Sequence, residues 1–455
     1  MGRDAMTTAA TVNVPDLIDG QKVGSFQIRI LVLCALAALL DGFAAQMIGY
    51  VATSVAREMH LTPAALTPIF AWGLVGLMLG ALIFGPVADR FGRKPVIVAC
   101  TLFYGLITLA TVRADSGSSL AILRFLAGLG FGGVMPNAIA MTAEYSPHRR
   151  RGTMVTIMFC GFPVGATIAG FAAVPILQAF SWRGVFVLAG IMPLLLAPVL
   201  AVLLPESIRH LVIHGKEPAR VSQLLARVSP QLAFESGTNF VVSEERAPGM
   251  PVFHLFRQGR AVSTILLWIG FFMSLIDIYF LTSWLPTVFH NAGITLSLSV
   301  IATAVFQGGG VVASLALGAF VDRFGSYRVL CITYFLGAVC VALLGYSHSI
   351  IAIMICTFFA GAGVIGGQTG ANALAASIYP TFIRSTGVGW ALGIGRIGSV
   401  VEPVFGGIML SLHLPLTTIF LAGALPSLIG SGAIFLMGRA QASVDVKEVL
   451  SAPAS

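Results

Sequence analysis

Charge is what this chain lacks. Of its 455 residues only 10% are Asp, Glu, Lys or Arg, against roughly 25% in a soluble globular protein, while 57% are hydrophobic and the mean hydropathy is +0.93. That scarcity excludes an ordinary soluble enzyme, a disordered chain and a disulfide-stapled domain. Cysteine is sparse and unpatterned. Cys34, Cys100, Cys160, Cys331, Cys340 and Cys356 all fall inside apolar blocks with no CxxC pair, so they read as small packing residues. The intramembrane His, Cys and Ser residues show neither nucleophile–base nor metal-ligand spacing, so no enzyme, metal or cofactor is expected. Nor is a signal peptide: residues 1–27 are polar, and the apolar block from Ile28 to Tyr50 is too long for an h-region.

What is present is a series of long apolar blocks. A bilayer crossing takes about 20 helical residues. Blocks of that size lie near 28–50, 65–87, 95–113, 119–142, 153–179 and 183–204, then near 261–286, 297–320, 327–346, 349–378, 385–411 and 415–438. These predict twelve spans in two sets of six, 28–204 and 261–438. The remainder is an N-terminal segment 1–27, a polar linker 205–260 and a tail 439–455.

Net charge +8 and pI near 9.4 do not require a nucleic-acid partner, because membrane proteins hold Lys and Arg on cytoplasmic loops. With the N-terminus inside, 21 of the 26 Lys and Arg fall in cytoplasmic segments and only 3 (Arg57, Arg113 and Arg183) in outer loops. Both termini are therefore expected to be cytoplasmic.

The two sets of spans also repeat. Gly85-x-x-x-Asp89-Arg90-Phe91-Gly92 aligns with Gly318-x-x-x-Asp322-Arg323-Phe324-Gly325, an offset of 233. The same offset carries Gly128 to Gly361, Gly130 to Gly363, Arg151 to Arg384 and Gly165 to Gly398. Duplicated bundles of this kind alternate around a midplane site between the halves.

These residues resemble the major facilitator superfamily. Gly85-x-x-x-Asp89-Arg90-x-Gly92-Arg93-Lys94 is similar to its signature between helices 2 and 3, Arg124-x-x-x-Gly128-x-Gly130-x-Gly132 to that of helix 4, and Pro205-Glu206-Ser207 to its ending of helix 6. Within it the chain most resembles the aromatic acid:proton symporters, through Asp41-Gly42-Phe43, Met135-Pro136-Asn137-Ala138, Glu144-Tyr145-Ser146-Pro147, Tyr379-Pro380-Thr381 and Gly393-Ile394-Gly395-Arg396. The implied fold is all-α: twelve transmembrane helices as two pseudo-symmetric six-helix bundles. The implied function is proton-coupled uptake of an aromatic carboxylate across the inner membrane, with Asp41 as proton carrier. Two departures stand out. Ala44 replaces the family's usual second acid of helix 1, and Glu402 precedes Pro403 in helix 11. Asp277 is the repeat mate of Ala44, which suggests that proton coupling has been redistributed.

Five ionisable residues lie inside spans: Asp41, Arg124, Asp277, Arg396 and Glu402. Each costs about 2.5–3.5 kcal/mol at a helix centre on insertion scales, so each is expected to face the bundle interior or a wet cavity. Buried carboxyls resist ionisation, which makes Asp41, Asp277 and Glu402 candidate proton carriers. A planar guanidinium matches a carboxylate bidentately, so Arg124 or Arg396 is the candidate anion ligand. Asp277, Phe280, Leu281 and Trp284 share one helical face, where the two aromatic rings either stack on a ring substrate or simply pack helices. Gln307, Asn137, Asn372 and Trp390 are further candidate contacts, with interhelical hydrogen bonding as the alternative. Asp89, Arg90, Arg93, Asp322, Arg323, Glu144, Arg151 and Arg384 form the expected cytoplasmic gate, with Glu144 bracing Arg151. The expected partners are a small organic anion, protons and lipid, for a monomer. The rival expectation is an antiporter exporting a metabolite or drug in exchange for protons.

Overall fold

The structure is a computed structural model that describes residues 11–215, 218–229, 238–242, 251–257, 260–347, 349–379 and 381–451. The side chains of Asp322 and Arg384, two of the expected gate residues, lie outside the described residues.

Among the described residues, eleven stretches of helix are long and apolar enough to cross a bilayer. One of them contains two crossings. The helix Gly161–Leu203 breaks at Ser181, whose φ of 63° and ψ of −179° are not helical. Gly161 packs on Ala35, and the carbonyl of Leu203 accepts a hydrogen bond from Arg29 at 2.9 Å. Both ends of this helix therefore return to the start of the first crossing helix, so the chain reverses at Ser181.

The twelve crossing helices are α1 (Ser25–Glu58), α2 (Pro63–Phe91), α3 (Arg93–Ala110), α4 (Gly117–Glu144), α5 (161–180), α6 (182–203), α7 (Ala261–Asn291), α8 (Leu296–Phe324), α9 (Ser326–Leu344), α10 (Ile350–Ile378), α11 (Thr381–Ser411) and α12 (Leu416–Ser451). The last helix runs on through most of the segment expected to be a tail. α1 has 34 residues and spans about 50 Å, longer than the roughly 30 Å hydrocarbon core it crosses.

The sequence repeat is carried into the packing. Gly92 and Gly325 join α2 to α3 and α8 to α9 with φ of 104° and 85°, a region a side chain would strain. Within the bundles, a Cβ at Gly76 would lie 2.2 Å from the carbonyl oxygen of Phe125, and one at Gly309 2.0 Å from that of Phe358. These are the same contact, α2 on α4 and α8 on α10, made twice. Only glycine lets the helices approach so closely, and close approach supplies the dispersion contacts that hold helices together in lipid.

The linker is not merely polar. Its helix Pro218–Val228 buries Val221, Leu224, Leu225 and Val228, and Arg227 lies over the Phe26 ring of α1 at 6.0 Å. A second linker segment, Asn239–Val241, pairs in parallel with Thr11–Asn13. These two linker segments cap the first bundle, whereas Pro251–His254 and Leu255 pack on the second.

The bundles meet mainly at the end away from the termini, called here the far side. Arg57 Nη2 and His290 Nε2 are 3.4 Å apart, Gln178 donates to Ser297 at 3.3 Å, and Phe70 meets Trp284 edge-on at 5.0 Å. Every hydrogen bond and ring contact described between the bundles lies in this half. The central space is therefore closed on the far side.

Candidate functional site

A cavity of about 40 Å³ sits between the bundles near mid-helix, room for about three waters. From the first bundle it is lined by Gln46, Phe70, Arg124 and Phe131, and from the second by Tyr279 and Ser283, with small and aliphatic side chains between. Arg124 is its one charged lining group. It projects from α4 with only 3% of its surface exposed, over the Phe131 ring at 5.7 Å. Its Nη2 donates to the carbonyl of Ala45 at 3.3 Å, while Nε and Nη1 have no acceptor among the described residues. A guanidinium has five N–H donors, so most of this group's capacity is unused.

Asp41 lies one helical turn before Ala45 in α1 and is 2% exposed. Its Oδ1 has no hydrogen-bond partner among the described residues, and the cation acting on it is Arg396, from α11 in the other bundle. Arg396 is held by Tyr279, whose hydroxyl accepts from Nη1 at 3.0 Å. Tyr279 also lines the cavity. Neither Asp41 nor Arg396 lines the cavity itself; Asp41 stands one turn from the lining residue Ala45, and Arg396 reaches the cavity wall through Tyr279.

The other expected contacts stand elsewhere. Asp277 is fully buried on the side of α7 that faces α12, where Ser427 donates to its Oδ2. Phe280 packs on Phe405 of α11 and on Gly423 of α12. Trp284 packs on Phe70 and Gly406 at the far-side contact. That face points into the second bundle at Asp277 and Phe280 and meets the first bundle at Trp284, away from the cavity. Tyr279 and Ser283, on another face of α7, are the ones turned to the cavity. Glu402 is fully buried behind Trp284 and does not reach across the cavity.

Asn137 donates to the carbonyls of Gly133 at 2.8 Å and Phe84 at 3.4 Å, which ties α4 to α2. Gln307 donates to Thr282 at 3.3 Å, and Gln368 donates to Asn372 at 3.2 Å. Trp390 is 43% exposed and stacks on Trp268, centroid to centroid 5.8 Å. None of these four lines the cavity. Gln46, Tyr279 and Ser283 escaped the sequence reading. Their signal was faint: Tyr279 and Ser283 are a polar pair one turn apart, outvoted by the larger aromatic stripe beside them.

The expected gate forms a polar cluster on the terminal side, with different partners. Arg93 pairs with Glu144 at 3.0 Å and approaches Asp89 only to 3.9 Å, while the Asp89 side chain is 76% exposed. Arg151 pairs with Asp19 at 3.6 Å and not with Glu144, because the N-terminal segment folds across the start of helix His148–Phe159. Arg90 and Arg323 lie over their neighbouring rings, Phe91 and Phe324, at 5.5 and 5.3 Å. The organiser of the cluster is Glu206. Its Oε1 accepts from the backbone N–H of Arg93 at 2.9 Å, of Lys94 at 3.2 Å and of Ser207 at 2.8 Å, so a carboxylate from the linker caps the N-terminus of α3. Ser207 in turn donates to Glu144 at 2.6 Å.

Comparison with known proteins now decides the family. The sequence profile of the Major Facilitator Superfamily matches residues 34–302 and 267–453. The chain is 38% identical to the gallate transporter of Pseudomonas putida, over 95% of this chain and 96% of that one. It is 36% identical to the 4-hydroxybenzoate transporter PcaK of Pseudomonas aeruginosa (96% and 98%) and 35% identical to the benzoate transport protein of Acinetobacter baylyi (94% and 92%). The chain belongs to the major facilitator superfamily.

The fold agrees. The xylose transporter XylE of E. coli, in a partially occluded inward-open conformation, superposes with a TM-score of 0.72 at 17% identity, covering 91% of this chain and 99% of that one. Membership makes this protein a membrane transporter and not an enzyme. In transporters built from two repeat-related bundles, substrate sites lie near the bilayer midplane where the repeats meet.

Proposed function

We propose that this transporter takes up an aromatic carboxylate together with protons. Arg124 carries the reading: a buried guanidinium in a cavity shared by both bundles, with Nε and Nη1 lacking acceptors among the described residues. A buried cation short of partners is costly, and a carboxylate guest would satisfy it bidentately. Phe131 and Phe70 offer ring faces beside it, and Gln46, Tyr279 and Ser283 offer hydrogen bonds to ring substituents. The named relatives carry gallate, 4-hydroxybenzoate and benzoate, which have this chemistry in common.

Asp41 is the proton carrier in this reading. A carboxyl that faces Arg396 across the bundle interface senses both the guest and the separation of the bundles. Ionised, it binds the guanidinium. Protonated, it releases Arg396 to the incoming anion. Loading both anion and proton leaves the chamber near neutrality, the condition for rocking through an apolar barrier. The cavity as it stands is too small for an aromatic ring, so binding requires the bundles to part.

The chain works as a monomer in the bacterial inner membrane, with the Lys- and Arg-rich terminal side in the cytoplasm. In proteoliposomes, uptake of labelled 4-hydroxybenzoate or benzoate should make the external medium more alkaline. Acidification on uptake would instead support proton-exchange export.

A further inference from the structure

Glu402 has no role in the central chamber. It is fully buried in α11, and neither carboxyl oxygen has a hydrogen-bond partner among the described residues. Among the described residues the polar group that acts on it is the indole of Trp284, whose Nε1 does not reach hydrogen-bond geometry.

Among the described residues, the helices packed on α11 offer Glu402 no counter-ion. α7 carries Asp277, Tyr279 and His290, α10 only the thiol of Cys356, and α2 only Asp89 and Arg90 at its terminal-side end. The short helix Pro251–His254 adds His254, and α11 itself adds Arg396 and, farther toward the terminal side, Arg384, whose side chain lies outside the described residues. None of the described groups acts on Glu402.

Its position is specific. One turn on, Gly406 is filled by the Trp284 ring and Gly407 by Thr67 of α2. Trp284 in turn meets Phe70 of α2. Glu402 therefore sits directly beneath the far-side contact, and the residues that cover it are the ones that part when that side opens.

We infer that Glu402 is a proton-operated latch of the far side, neutral whenever the α2–α7–α11 contact is closed and exchanging its proton with far-side water when the contact parts. Water on the far side supplies the proton to the carboxylate and receives it back on reopening. No net proton crosses the membrane at this site, since it is sealed in the closed form. An ionised carboxylate with no cation near it would be stranded in an apolar contact, so ionisation holds the far side open. The inference rests on the transport reading above, but it concerns closure and not cargo.

The test is exchange of labelled 4-hydroxybenzoate in proteoliposomes at equal pH on both sides, where no gradient drives the cycle. Wild-type exchange should fall with rising pH, by about tenfold per unit beyond the Glu402 midpoint, because only the protonated fraction can close. In the Asp41→Asn background, which removes the pH dependence of Asp41 while sparing exchange, Glu402→Gln should exchange at the fast rate throughout and Glu402→Asp should keep a pH-dependent fall. A Gln variant that keeps the pH profile of that background would overturn the inference.

A cargo-free readout separates this from an error about substrate. Spin labels at Gln178→Cys and Ser297→Cys span the far-side contact. Without any ligand, their separation should widen with pH in the otherwise native chain and stay short in the Glu402→Gln background. Failure of 4-hydroxybenzoate to exchange, with the distance shift intact, would sink the cargo assignment and support the latch. Distances that ignore pH in both backgrounds would sink the latch.

Discussion

Gly49 in α1 and Thr282 in α7 are equivalent positions of the two halves, and they touch. A Cβ on Gly49 would lie 2.7 Å from the carbonyl oxygen of Thr282. Arg57 and His290, one layer farther out, are also separated by 233 residues and also meet. The pseudo-two-fold axis therefore runs between α1 and α7, and the cavity lies beside it, lined by Gly49 itself.

Gly49→Val should prevent the far side from closing, because the added side chain must push Thr282 away. Uptake should fall at least tenfold while the protein still folds. Spin labels at Gln178→Cys and Ser297→Cys would report the cause as a longer distance than in the parent. An unchanged distance would count against the α1–α7 contact as the far-side seal.

Arg124→Ala should weaken binding of an aromatic carboxylate. Hydrogen bonds to a charged group contribute about 1.5–3 kcal/mol, so the dissociation constant should rise roughly 10- to 100-fold. Arg124→Lys keeps the charge but loses the planar fork, and should recover only part of the loss. Calorimetry on purified protein measures both. Trp390→Phe, exposed and stacked outside the cavity, should leave affinity at the parent value.

Asp41→Asn should abolish accumulation driven by a pH gradient while leaving exchange of labelled substrate in place. The sign is set by protonation: in the parent, lower external pH loads Asp41 and raises uptake, and the amide cannot respond. Uptake by Asp41→Asn that still rises with external acidity would remove this residue from the proton path.

Glu206→Gln tests the cap on α3. The amide oxygen still accepts, but its charge no longer complements the helix N-terminus or the adjoining Arg93 and Lys94 backbone. A loss of about 0.3–1 kcal/mol is expected, and Glu206→Ala, which removes the acceptor, should cost more, about 1–3 kcal/mol. Thermal unfolding in detergent would show the order parent, Gln, Ala. Equal stabilities would mean that the three backbone donors find water instead.

Much of the architecture was legible without coordinates. Long apolar runs can satisfy their backbone in lipid only as helices, which set both the number of crossings and their approximate bounds. The offset shared by Gly85 and Gly318 located the repeat and its glycine contacts. Asp41, Arg124 and Arg396 were singled out by the cost of burying charge; Arg124 lines the midplane cavity, Arg396 holds the lining residue Tyr279, and Asp41 lies one turn from the lining residue Ala45. The same cost could not say where Asp277 and Glu402 point. Both are buried, one against Ser427 and the other beneath Trp284, and neither faces the chamber.

The linear order of residues determined which segments span the bilayer, how they repeat and which ionisable groups enter it, because hydropathy, spacing and charge are local properties. Tertiary packing decided the rest. Neighbouring helix positions point about 100° apart, so a small rotation about a helix axis exchanges a chamber-facing residue for one facing a neighbour. In α7 that rotation turned Tyr279 and Ser283 toward the cavity and Asp277 and Phe280 away from it. It is set by how glycines, aromatic rings and the partner bundle interlock, none of which the order of residues along a single helix contains.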